Sequence, residues 1–234
     1  MNRFFMVLTL LPFFSHFRGT PHQLAAIKEL EDALPEELLR DDAAWFEAWK
    51  ASGIAQQVVV PYFHQLDNKS GQGYRECFSS SAAMVAAFYG KVKTDDQYNK
   101  IRKKFGNTTS IEAQVSALKS LGLHAEFRQD GNEDLIEAEI SAGRPVAVGW
   151  LHRGDMSRGE PPMCDNYGCG HWSVIVGFDK ENWIMNDPRG TPFMERGGHS
   201  RYGGKNVKVL RQAFQQRWEV EGPGTGWLIL ADDE

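Results

Sequence analysis

Cys77 is the cysteine whose position best suits a nucleophile. Of the three cysteines, too few for a disulfide scaffold, Cys77 comes immediately before an apolar run from Ser79 to Tyr89. At a helix N-terminus, free backbone N–H groups and the helix dipole favour negative charge, which lowers the pKa of a thiol. From position alone, Cys77 is either a nucleophilic thiolate or a small buried apolar residue, and the neighbouring motifs decide between the two.

A nucleophilic thiol needs a base, and His171 is the strongest candidate among seven histidines. It opens a predicted strand whose hairpin partner ends at Asn186 and Asp187. Because side chains alternate along a strand, an odd hairpin loop such as residues 179–181 places Asp187 on the face of His171, whereas an even loop places Asn186 there. Either can orient an imidazole, but Asp187 would also stabilise its charged form.

Three further residues are predicted to serve the same site. Gln65 lies twelve residues before Cys77, and a neutral amide donor there can hydrogen-bond the oxyanion that develops in acyl transfer. Trp172 and Asn186, which adjoin the base and the acid, are predicted to contact substrate.

Hydrophobic periodicity predicts an α+β fold around these residues. The run from Ser79 to Tyr89 is apolar nearly all round, which is typical of a buried helix. Further helices are predicted at 94–105, 110–121 and 133–141, and strands at 58–62, 124–128, 145–151, 172–178, 183–186 and 226–231. Helices precede most strands, which favours an antiparallel or mixed sheet.

The N-terminal segment is predicted to be an appendage. Residues 4–14 are apolar but too short to span a bilayer, and an interrupting proline with no small-x-small cleavage site favours a packed arm over a signal segment. Residues 21–50 read as an acidic helical hairpin. The division is therefore residues 1–53 as appendage and 54–234 as the main domain.

Charge and cysteine spacing narrow the range of partners. The net charge of −5, from 26 basic and 31 acidic residues, gives no basic field for nucleic acid. Cys164, Cys169 and His171 lack a standard zinc spacing, so no metal or other cofactor is predicted. A local disulfide between Cys164 and Cys169 is favoured instead if the protein works outside a reducing compartment.

Four segments together resemble papain-fold cysteine peptidases akin to the bacteriocin-processing, double-glycine-leader peptidases. They are Val60–Gln65, Cys77–Gly90, Gly170–Gly177 and Asn186–Pro188. The resemblance implies a papain-like α+β fold in which the helix carrying the cysteine packs on an antiparallel sheet. It also implies Cys77 as nucleophile, His171 as general base and acid, Asp187 as orienting acid and Gln65 as oxyanion donor, hydrolysing peptide bonds through a thioester.

The chain departs from this family in two places. Phe78-Ser79 stands where the family commonly has Gly-Pro, and the insertion at 153–170 is long enough to form a lid over the cleft.

The segments at 65–68 and 75–77 also resemble cysteine peptidase domains of tailed phages, some of which are associated with cell-wall lysis. This favours a peptidoglycan substrate and an extracytoplasmic or phage-delivered enzyme. The alternative is a peptide- or wall-binding module, or an acyl transferase, on the same fold.

Overall fold

Seven strands form a single sheet in the computed structural model, which describes residues 56–164 and 170–233. The strands are Gln56–Gln57 (β1), His124–Gly131 (β2), Val146–Leu151 (β3), Gly170–Phe178 (β4), Asn182–Asn186 (β5), Val207–Leu210 (β6) and Gly226–Asp232 (β7). Their order is β2-β7-β3-β4-β5-β6, with β1 pairing to β4, and every pair is antiparallel.

Five α-helices accompany the sheet within the described residues. They are Cys77–Phe88 (α1), Asp95–Arg102 (α2), Ile111–Ser120 (α3), Glu133–Ser141 (α4) and Arg211–Trp218 (α5). Nine consecutive residues of α1, from Phe78 to Ala86, are buried, and the Ser81 hydroxyl donates to the carbonyl of Trp172 on β4 at 2.9 Å. Small side chains let α1 lie close to the sheet, and the predicted α+β architecture is confirmed.

The helix boundaries follow from side-chain caps. Thr94, Ser110 and Asn132 each accept a hydrogen bond from the backbone N–H three residues later, which satisfies a donor left free at the start of α2, α3 and α4.

Three elements differ from the sequence-based expectations. Residues 58–62 are not part of a strand, although the Val58 N–H donates to the carbonyl of Val176 at 2.8 Å, and the strand at this point is β1, just upstream. The elements β6 and α5 were not predicted. Residues 1–55, which hold the predicted arm, the helical hairpin and the domain boundary, lie outside the described residues. In the described part of the chain, no helix has the length and apolar character needed to cross a membrane.

Candidate active site

The Cys77 thiol lies at the first residue of α1 and is partly buried. Burial raises its pKa to about 11, outweighing hydrogen bonds from the backbone of Trp172 and Phe78 that lower it. The predicted lowering of the thiol pKa is therefore wrong, because desolvation of the thiol outweighs the N–H groups near it. These contacts place the thiol beside Trp172, the residue that follows His171 on β4.

His171 lies near the start of β4, with 2% of its surface exposed. Its Nε2 lies 2.9 Å from Oδ2 of Asp187. Since an ionised carboxylate can only accept, the ring proton resides on Nε2, which leaves Nδ1 as the basic nitrogen. Burial lowers the pKa of His171, although the Asp187 charge opposes that shift.

A β-bulge decides which residue of β5 reaches His171. Next to the turn, Phe178 pairs with Trp183, a register that on its own would put Asn186 on the face of His171. The register shifts by one between Ile175 and Gly177, so that Val174 pairs with Asn186. Asp187 consequently shares the face of His171.

Asp187 is fully buried and held as an acceptor from several sides. Its Oδ2 also accepts from the Ser173 hydroxyl at 2.8 Å, and Oδ1 accepts from the Arg189 N–H at 2.9 Å. The Trp150 indole donates to Ser173, which fixes the hydroxyl. Burial alone would raise the pKa of Asp187, but the neighbouring histidines hold it well below its usual range.

Gln65 is tied to both sides of the site. Its backbone N–H donates to the carbonyl of Pro188 at 2.7 Å, next to Asp187, and its Nε2 donates to the carbonyl of Gly73 at 2.7 Å, in the turn that precedes α1. A Cβ at Gly73 would lie 2.2 Å from the Gln65 carbonyl oxygen, so this approach requires glycine. One Nε2 hydrogen of Gln65 remains for a ligand.

The two residues predicted to bind substrate have other contacts. The Trp172 ring stacks on Phe78, with centroids 3.7 Å apart, and is almost buried. Asn186 is fully buried on the face away from His171, and its side chain bonds the backbone of Val60 and Asn206. Asn186 therefore anchors loops, and the substrate contacts of Trp172 and Asn186 stay predictions.

The insertion before β4 is described only in part. Cys164 is disulfide-bonded, while Cys169 lies outside the described residues, so their pairing stays a prediction.

Two histidines for which the sequence predicts no role lie beside His171. The His199 and His152 rings have centroids 4.3 Å and 5.6 Å from that of His171. His199 belongs to a glycine-rich loop. No local pattern marked it, because its proximity to Asp187 arises only when that loop folds back on the sheet.

Comparison with known proteins assigns the chain to a family. The model of the Peptidase_C39-like family matches residues 58–223. A solved structure described as a C39-like peptidase from Bacillus anthracis is 20% identical, with a TM-score of 0.50 over 75% of this chain and 98% of its own. The peptidase domain of Streptococcus ComA, described as a bifunctional ABC transporter involved in quorum sensing, is 19% identical, with a TM-score of 0.46 over 69% of this chain and 93% of its own.

A double-glycine-motif protease from an AMS/PCAT transporter, solved with its leader peptide, is also 19% identical, with a TM-score of 0.46 over 75% of this chain and 92% of its own. No curated protein matches the sequence. Because the family model covers well over half of the chain, this protein belongs to the Peptidase_C39-like family and is a cysteine peptidase.

Proposed function

We propose that the enzyme hydrolyses peptide bonds with Cys77 as nucleophile, His171 as general base and acid, Asp187 as orienting acid and Gln65 as oxyanion donor. The observation that carries this proposal is the 2.9 Å contact between His171 Nε2 and Asp187 Oδ2. Trp172, which follows His171 on β4, contacts the Cys77 thiol. The contact with Asp187 frees Nδ1 of the imidazole for the thiol proton.

The shifts in the pKa values of Cys77 and His171 favour a resting state in which both groups are neutral. Burial raises the pKa of Cys77 and lowers that of His171, so the two groups rest as thiol and neutral imidazole. The proton passes to Nδ1 of His171 as Sγ attacks the substrate carbonyl carbon. His171 then protonates the leaving amine as the C–N bond breaks, and a water activated by the same ring hydrolyses the thioester.

The oxyanion requires donors that are already in position. The free Nε2 hydrogen of Gln65 and the N–H groups at the start of α1 supply them, and the bond from Gln65 to Gly73 keeps the amide from rotating away.

Gln65→Ala is expected to lower kcat by about a hundred- to a thousandfold with little change in KM, since the donor acts on charge present only in the transition state. Initial rates over a range of substrate concentrations measure both constants. The matched control is Gln72→Ala, because the Gln72 side chain is exposed. An unchanged kcat in a Gln65→Ala protein of normal melting temperature removes Gln65 from the mechanism.

The substrate class proposed is the peptide part of peptidoglycan. Its support is the resemblance of residues 65–68 and 75–77 to phage cysteine peptidases. Purified peptidoglycan and a peptide library are digested separately, with Cys77→Ala as the inactive control, and the products are identified by mass spectrometry.

Fragments of the stem peptide or cross-bridge are the expected products. Cleavage confined to library peptides after small residues would overturn the wall assignment and favour a leader-type substrate. If neither substrate is cut and iodoacetamide leaves Cys77 unmodified in the native protein, the chain acts as a binding module.

A further inference from the structure

A buried histidine beside the proposed active site lacks the partners that its ring nitrogens require. The His199 side chain is 1% exposed, and its Nε2 lies 3.3 Å from Asp187 Oδ2. The approach is not aligned as a hydrogen bond, and both ring nitrogens are without a hydrogen-bond partner within the described residues. Burying a polar group in this state is unfavourable unless something else binds it.

We propose that His171 Nε2, Asp187 Oδ2 and His199 Nε2 form a binding site for Zn²⁺, and that occupation of this site switches the peptidase off. The inhibitory part rests on the proposed function of His171 and Asp187, whereas metal binding does not.

The spacing of the three atoms suits a tetrahedral ion. One ligand atom from each of the three residues lies within 4.8 Å of a ligand atom of both others. Zinc bonds of about 2.0–2.1 Å at tetrahedral angles separate neighbouring ligand atoms by roughly 3.3 Å. The His199–Asp187 distance of 3.3 Å already has this value, and the His171–Asp187 distance of 2.9 Å must open by a few tenths of an ångström.

The donor set selects among metals. Two imidazoles and one carboxylate form a ligand set common for zinc, with a fourth position left for water. Ca²⁺ and Mg²⁺ require about six oxygen ligands, which this group does not offer. Because every protein ligand is already buried in place, the ion has little side-chain ordering to impose.

Zinc at this position removes the general base. A neutral imidazole has one ring proton, so coordination through Nε2 of His171 moves that proton to Nδ1. With Nδ1 protonated, His171 cannot accept the proton of the Cys77 thiol. The metal also takes the Asp187 oxygen that orients the ring. Inhibition by this route leaves the thiol unmodified and is reversed by a chelator.

Binding is tested on Cys77→Ala, which keeps all three ligands and cannot chelate through sulfur. Calorimetric titration with Zn²⁺ is expected to show one site, weakened at least about a hundredfold when His199→Asn is added. Adding His152→Asn instead is the matched control, since His152 packs 5.4 Å from the His199 ring but is not one of the three ligands. Loss of binding in Cys77→Ala itself would mean chelation by the thiol and would overturn the site.

Co²⁺ reports the ligands directly and does not depend on a substitution at His199. Wild-type protein loaded with Co²⁺ is expected to show the visible bands of a tetrahedral ion without the near-ultraviolet charge-transfer band of a thiolate ligand. A thiolate band, or a spectrum of six-coordinate Co²⁺, contradicts the proposal.

Activity is the last readout. Wild-type hydrolysis is expected to fall at least tenfold with Zn²⁺ and to return with EDTA, and the inhibition constant is expected to rise at least tenfold in His199→Asn, each protein compared with its own metal-free rate. Binding through His199 without inhibition overturns the switch. If the metal-free enzyme cuts no substrate, the proposed function fails, while calorimetry and Co²⁺ spectra still decide the metal site.

Discussion

Cys77→Ala is expected to lower peptide hydrolysis by roughly five to six orders of magnitude while leaving the fold intact. Removing the nucleophile of an enzyme whose groups act as a unit costs about this much. The fold does not depend on the thiol, because α1 is held to the sheet by its apolar residues and by Ser81. Progress curves on the best substrate measure the rate, and thermal melts confirm the fold.

The control for this experiment is Ser81→Ala, one helical turn further on. It removes the hydrogen bond to the Trp172 carbonyl, which costs about 1–3 kcal/mol of stability, and keeps the thiol. We expect this variant to retain hydrolysis within about tenfold. Wild-type rates in Cys77→Ala would show that another residue attacks the substrate.

The state of the thiol gives the same prediction a second measurement. Since burial raises the pKa of Cys77 to about 11, alkylation near neutral pH depends on proton transfer to His171. His171→Ala is therefore expected to slow alkylation by iodoacetamide as well as hydrolysis. Equal alkylation rates in the wild-type protein and in His171→Ala would mean that the thiolate forms without the imidazole.

Much of the fold could be predicted from local pattern. The apolar run after Cys77 predicted a buried helix, and the apolar segments on either side of residues 179–181 predicted the central hairpin, because elements buried on both faces are continuous apolar runs in the sequence. The short β6 and α5 escaped, since a four-residue edge strand followed by a helix rich in glutamine and arginine has little apolar period to detect.

The site was harder to predict where it depends on tertiary arrangement. Loop parity left Asp187 and Asn186 as alternatives, and the outcome was set by a bulge inside β4, which has no signature in side-chain alternation. The thiol pKa depends on how deeply the helix terminus is buried, and the position of His199 depends on how a glycine-rich loop folds back. None of these is a property of a local segment.

The loops that bear the additional histidines are held by one arginine. Arg217 of α5 is fully buried, and its guanidinium donates to five backbone carbonyls. They belong to Leu151, Arg153, Gly154, Met194 and Glu195. These carbonyls flank His152 on one segment and precede His199 on the other, so a single side chain fixes both segments against the end of the sheet.

Arg217→Met is expected to destabilise the protein by at least about 3 kcal/mol, because five inward-facing carbonyls lose their donor together. Arg217→Lys should recover only part of this, since an ammonium has three hydrogens and no planar fork. Urea unfolding measures both. The matched control is Arg128→Met, whose exposed pair with Asp130 is worth about 0–1 kcal/mol.

Arg217→Lys also separates the contribution of this region to the Zn²⁺ site from its contribution to hydrolysis. If Arg217 acts by fixing the histidine loops, Arg217→Lys should weaken the Zn²⁺ site through His199 more than it slows hydrolysis, because His171 and Asp187 are held independently by strand pairing, Ser173 and the Arg189 N–H. Unfolding free energies of Arg217→Met and Arg128→Met that agree within about 1 kcal/mol would show that the carbonyls find other donors, and that the loops do not depend on this residue.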